Sequence, residues 1–320
     1  YNFSEVFVPH NFIKKAFQES GVTCPVSVLP LAYPERKRVK PIEKNKKENK
    51  LKLGCLCGPT KRKNTEKLVE AVKELIQEGQ KIELFLHCTW LKQEQKQWYK
   101  LPFIKLTEGK VSDSFINQWY SELDAYICPS SGEGWSLTPR ESMSLGIPTI
   151  VSNIGVHQEL LESGFYIPIR SDGWQSAYYE FLGSNCGNWK SYSIQNIKSS
   201  IMDLIENYEY WYKVAQTGKE WLKSQYKWSF VEKQLLAQIY PKHILFRISE
   251  NNDNIDKYCQ NLIRLMPKTK HVTSYFHLEK ILQNEDIQSI HVHYDPSFID
   301  THELLNYSQS WECIKKIYIH

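Results

Sequence analysis

The stretch that most restricts what this chain can fold into runs from Ala125 to Glu159. Ala125–Cys128 is a short apolar run of the kind that makes a buried strand, and Pro129, Gly132 and Gly134 open a loop directly after it. Thr138 followed by Pro139, with Glu141 three residues after the threonine, has the form of a capping box with proline at the first helical position. Gly146 stops that helix, and Thr149–Ser152 returns as a second strand. Strand, glycine loop, helix and strand in this order aim the unpaired amides of a helix start at the carboxyl edge of a sheet, a place suited to phosphate. Taken singly, Glu141 reads equally well as a capping residue and Glu133 as a solvated loop acid.

The pattern repeats on either side. Leu51–Leu56, Ile82–His87, Phe103–Leu106 and Tyr166–Ile169 read as strands. Between them lie a helix from Asn64 to Gly79 with Leu68, Val72, Leu75 and Ile76 on one face, a polar helix near Gln93–Lys100, and a helix capped by Ser112 that buries Phe115, Ile116, Trp119 and Leu123. Strands separated by ten to fifteen helical residues predict right-handed βαβ units, and hence an α/β, Rossmann-like parallel sheet flanked by helices. Ligands of such sheets sit at the carboxyl ends of the strands, where the turn Gly58–Asn64 and the loop Pro129–Leu137 both fall. On its own, Lys61-Arg62-Lys63 in the first of these reads as an exposed basic loop.

The Ala125–Glu159 string resembles the E-x7-E motif of retaining glycosyltransferases with the GT-B fold, the large group 1 (family four) set. Pro129, Ser130, Glu133, Gly134, Leu137, Glu141, Met143, Gly146, Pro148, Ser152, Gly155 and Glu159 stand at that family's fixed positions, while Ser136 replaces its usual glycine. Leu51–Leu56, Gly58 and Arg62-Lys63 resemble the family's strand, Gly-Arg and Arg-Lys-Gly, although Pro59 stands where a second arginine is common. The resemblance implies a donor-binding domain for a nucleotide-sugar. Arg62, Lys63, Gly58 and the backbone of Gly134, Trp135, Ser136 and Leu137 would hold its diphosphate. Glu141 would take the ribose, and Glu133 would steady positive charge at the anomeric carbon, with Glu133 and Lys63 as the catalytic pair. The implied activity is a retaining hexosyltransferase of polysaccharide biosynthesis, acting by front-face attack on a glycan or lipid-linked acceptor. Rivals are a sugar-nucleotide epimerase of the same fold and a non-catalytic module that binds a glycan or a partner.

By the same resemblance, residues 1–34 read as the end of an acceptor-type domain with its hinge. A basic linker follows at 35–50, then the nucleotide-sugar domain with its closing helices at 51–240 and the start of a second Rossmann-like domain at 241–320. The chain then reads as a fragment. No D-x-D occurs, so no cofactor and no essential metal are expected. His291 and His293, with Asp295 nearby, form the alternative metal-binding pattern of a strand end.

Residues 35–52 hold nine Lys or Arg against three Glu, against a net charge of +4 for the whole chain. That run reads as a solvated linker before it reads as a site for anionic lipid; it has no interleaved aromatics for base stacking, and no nucleic-acid partner is expected. Peripheral membrane contact stays compatible with it. No span-length apolar run and no signal peptide occur, and a cytoplasmic location is expected. Eight scattered cysteines, with no C-x-x-C, include Cys55 and Cys57 on one strand; these are read as core residues, neither ligands nor disulfides.

Overall fold

The computed structural model describes residues 6–33, 36–37, 50–179, 182–239, 243–248, 270–272, 289–294 and 316–319, with side chains as far as Leu235. In chain order the elements are β1 (Val6–Val8), α1 (Asn11–Glu19), β2 (Val26–Val28), β3 (Leu51–Leu56), α2 (Thr65–Gln77), β4 (Ile82–Cys88), β5 (Ile104–Glu108), α3 (Asp113–Glu122) and β6 (Ala125–Cys128). There follow α4 (Leu137–Ser144), β7 (Thr149–Ser152), α5 (Gln158–Glu162), β8 (Ile167–Ile169), β9 (Gly173–Tyr179), β10 (Ser184–Ser191), α6 (Ile194–Glu206), α7 (Tyr208–Tyr226) and α8 (Trp228–Ile239). The last strands are β11 (His243–Ile248), β12 (Lys270–Val272), β13 (Ser289–Tyr294) and β14 (Lys316–Ile319). The polar segment Gln93–Lys100 is a 3₁₀ helix.

The chain divides into two compact units, one from Pro9–Ile13 and Pro30–Lys227, the other from Tyr1–Val8, Lys14–Leu29 and Trp228–His320. In the second of these, β1 pairs β2 in parallel, and β12, β11, β13 and β14 form a parallel sheet in that order. His291 and His293 lie on β13, while Asp295 falls outside the described residues.

The larger unit is a six-stranded parallel sheet in the order β5-β4-β3-β6-β7-β8, the α/β architecture that the alternating pattern predicts. Every residue of β6 and β7 is buried, as a parallel sheet covered on both faces requires. One core lies under α2 and α6, with Leu53, Leu84, Leu86, Ile127 and Ile150 at or near zero exposure. The other lies under α3, α4 and α7 and holds Phe85, Tyr126, Cys128 and Val151. Each such side chain contributes about 2 kcal/mol on burial. Gly54 in β3 has a packing reason, since a Cβ there would overlap the side chain of Leu123.

The direction of strand progression reverses between β3 and β6, which are hydrogen-bonded neighbours with Leu53 opposite Ala125. A crevice opens at such a switch point.

Three sequence expectations need correction. The helix after Gly134 begins at Leu137, with Ser136 and not Thr138 as its N-cap; Pro139 stands third in the first turn, where no intrahelical partner for an N–H exists to be lost. Asn64 precedes α2 in a left-handed conformation and makes no side-chain cap. Cys57 is no free core thiol but is disulfide-bonded to Cys88, because the register that sets Leu56 beside His87 brings the next residues of β3 and β4 together. Cys55 is buried and free, as expected. After β8, Gly173–Tyr179 and Ser184–Ser191 pair as an antiparallel hairpin with a register shift between Asn185 and Asn188.

Candidate functional site

Two loops meet at the β3/β6 crevice. The first is the turn after β3, where Lys61–Lys63 form one 3₁₀ turn before α2. The second is the loop 129–136 between β6 and α4. Polar contacts fasten them. Ser131 N donates to Arg62 O at 2.8 Å, and Asn64 Nδ2 donates to Pro129 O and to Ser131 Oγ, both at 2.8 Å. Arg62 donates to Gly132 O, and Lys63 Nζ meets Glu133 Oε1 at 2.5 Å. Asn64 gives up helix capping because its amide closes this loop pair, and the left-handed backbone, φ 52°, is the conformation Asn tolerates best after Gly.

Glu133 also lies 3.2 Å from Arg62, so one carboxylate faces two cations. Burial pushes its carboxyl up, but the charges of Lys63 and then Arg62 overcome that and hold it below the usual carboxylate range. Gly58 lies beneath the stem of Lys63; a Cβ there would stand 3.3 Å from Lys63 Cγ.

Glu141, the fifth residue of α4, is buried and does not reach back to cap its helix. It accepts from Arg36 at 2.9 Å and from the Tyr120 hydroxyl at 3.0 Å. Arg36 bridges on to Asp113 at 2.7 Å and its side chain is only 14% exposed, so this residue of the basic run is no solvated linker cation. Nothing in the sequence spacing marks Arg36 or Tyr120 as partners of Glu141.

Between the two glutamates, Gly134 has open space above it, and Ser136 adopts φ 66° and ψ 71°. That left-handed position explains the glycine usual there in the resembled family: a Cβ in this region costs about 1–2 kcal/mol. Trp135 contributes its backbone to the loop, but its ring is buried. The Arg140 guanidinium lies 3.7 Å from the ring centroid, with Tyr226 edge-on at 5.4 Å and His10 at 6.3 Å. Arg140, wholly buried, pairs with Glu159 at 2.6 Å, and Glu159 also meets His10 at 3.5 Å. Burial pushes the Glu159 carboxyl up, and the His10 hydrogen bond and Arg140 bring it below its ordinary value.

His157 sits beneath this cluster at zero exposure, its Nδ1 2.8 Å from Ser152 O and its Nε2 without a partner. Burial is the chief cause that lowers its pKa to about 4, so it is neutral near pH 7. Lys63, Arg62, Gly58, Glu133, Gly134, Ser136, Leu137 and Glu141 thus line neighbouring loops of one sheet edge. Arg36, Tyr120, Asn64 and Arg140 are the partners that sequence reasoning did not find. Among the described residues no group of three or more His, Cys, Asp or Glu is placed to hold a metal ion, and no helix is long and apolar enough to cross a membrane.

Comparison with known proteins points the same way. The family profile described as "Glycosyl transferases group 1" matches residues 51–182, which include both loops. A lipopolysaccharide core biosynthesis mannosyltransferase, LpsB of Rhizobium meliloti (strain 1021), is 39% identical over 49 residues, 15% of this chain and 14% of that protein. Protein CapJ of Staphylococcus aureus is 34% identical over 113 residues, 33% of this chain and 29% of its own length. The chain thus spans less than a third of the length of either relative. Among solved structures, sucrose-phosphate synthase from Thermosynechococcus elongatus superposes with a TM-score of 0.56 at 16% identity, over 74% of this chain and 58% of that one. At that identity the likeness speaks for the fold alone.

Proposed function

We propose that this chain, which through residues 51–182 belongs to the group 1 glycosyl transferases, holds the donor-binding site of a retaining glycosyltransferase that uses a nucleotide-sugar. The observation that carries the reading is the carboxylate of Glu133 clasped by Lys63 and Arg62 at the amino end of α4. It offers those cations the kind of oxygen anion that a phosphate would. As the anomeric bond breaks, negative charge grows on the departing diphosphate, and cations and amides already in place stabilise it without reorganising. Lys63 and Arg62 supply the cations, and the amides from Gly134 to Leu137 supply the fixed dipoles. With its cations turned to phosphate, Glu133 is released to face the sugar carbon that becomes positive. Glu141 is placed one helical turn away for the ribose hydroxyls.

On this reading the charge neutralisation is done by side chains and backbone, and binding needs no divalent ion. The acceptor is a glycan or a lipid-linked acceptor, in line with the relative LpsB, a lipopolysaccharide core biosynthesis mannosyltransferase. Calorimetry of this chain with UDP and GDP, in EDTA, tests the site. One of the two binds, and Lys63→Ala weakens it about 10- to 100-fold, the worth of one charge-assisted hydrogen bond. Binding of neither nucleotide, or equal binding by Lys63→Ala, would refute the assignment.

A further inference from the structure

The hairpin β9–β10 leaves the sheet after β8 and returns to α6, and with the start of α2 it encloses a pocket of about 400 Å³. That size falls within the range of small-molecule sites. Lys61 lines it, whereas Arg62 and Lys63 of the same turn reach Glu133, so the pocket lies on the other side of this turn from Glu133.

Its walls combine aromatic and neutral polar surface with the charged side chains of Lys61, Glu66 and Lys67. Tyr178 and Trp189 provide aromatic rings, and Tyr178 is half exposed. Gln175, Ser176 and Gln95 provide amide and hydroxyl groups. Trp189 stands opposite Gln175 in the hairpin register, which puts a ring and an amide side by side. One of these polar groups is unserved within the protein: the Trp189 Nε1–H is shielded and has no acceptor. The Gln95 side chain accepts from Lys92 N at 3.1 Å and donates at 3.4 Å to Pro59 O and 3.3 Å to Glu66.

Ring faces beside amide and hydroxyl groups suit a pyranose, which carries an apolar C–H face and a rim of hydroxyls. We propose that this pocket binds a neutral hexopyranose unit at a site separate from the Lys63–Glu133–Glu141 cleft. The proposal does not depend on the nucleotide assignment, because none of the five hairpin and Gln95 side chains belongs to that cleft.

Saturation-transfer NMR of the chain with methyl α-D-mannopyranoside, methyl α-D-glucopyranoside and methyl N-acetyl-β-D-glucosaminide tests it. At least one glycoside receives saturation, with a millimolar dissociation constant that excess UDP leaves unchanged. The double variant Tyr178→Ala/Gln175→Ala, altered at the pocket wall alone, weakens it by at least about tenfold. Lys63→Ala leaves it as it was. No transfer from any of the three, displacement by UDP, or an unchanged constant in the double variant overturns the proposal. UDP binding in the absence of saccharide binding leaves the donor site standing and removes only this pocket.

Discussion

His157 makes the stability of the larger unit depend on pH in a calculable way. Its imidazole is wholly buried, and the carbonyl of Ser152 takes the Nδ1–H, which leaves Nε2 as the neutral ring's lone pair with no partner. Protonation would create a charged N–H there without an acceptor. Burial therefore lowers the pKa to about 4; the Ser152 bond opposes that shift, Arg140 adds to it, Glu133 opposes it and Lys63 adds to it. The charged form is the one the fold disfavours. The stabilisation is accordingly complete above the ordinary histidine value and is lost as pH falls from about 6.5 to about 4, while the unfolded chain takes a proton that the folded chain refuses. At about 1.4 kcal/mol per pH unit the loss comes to about 3 kcal/mol. Urea unfolding at several pH values between 7.5 and 4.5, followed by the fluorescence of buried Trp98, Trp119 and Trp135, measures it against His157→Asn. That variant keeps an amide donor for Ser152 O and cannot titrate. Glu133 and Glu159, held low by their cations, lose their contributions only below the usual carboxylate range and equally in both proteins. The stability gap between wild type and variant should shrink by about 2–3 kcal/mol across the series. A gap that stays constant with pH would refute the reasoning.

Two further expectations rest on single positions. Ser136→Gly relieves a left-handed serine; after the extra unfolded-state freedom of glycine is counted, the variant should be more stable by about 0.5–1 kcal/mol, read as a rise in thermal midpoint of about 1–4 °C. A fall would show that the Ser136 side chain is worth more than the strain. Alkylation of the unfolded, unreduced chain should leave Cys57 and Cys88 unlabelled by mass spectrometry, and reduction should cost about 3–4 kcal/mol of stability for a cross-link of this span. Labelling of both without reductant would remove the bridge.

The parallel sheet was legible because its strands are apolar runs cut off by glycine, proline or polar caps; Ile82–His87 and Thr149–Ser152 could be placed within a residue. The two glutamates and the lysine turn were legible through spacing. What spacing cannot carry is contact between distant segments. Arg36 sits 105 residues before Glu141, in a run whose composition points to solvent, and only the fold makes it a part-buried partner. Cys57 and Cys88 are 31 residues apart and meet through strand register. The start of α4 was misplaced because Thr138-Pro139 has the form of a cap, whereas a left-handed Ser136 leaves no signature in the side chains. The hairpin at 173–191 has glycines at 183 and 187, with no regular period to mark it as two strands.

The Arg36–Glu141 bond bears on how a nucleotide can enter. Any ribose diol that takes the place of that guanidinium on the carboxylate exchanges an ion pair for bonds from uncharged hydroxyl donors. A nucleoside stripped of its phosphates has little with which to drive that exchange. On the proposed donor-site reading, recognition would be biased toward ligands that first engage Lys63 and Arg62, with the anionic tail as the key and the sugar ring following it into place.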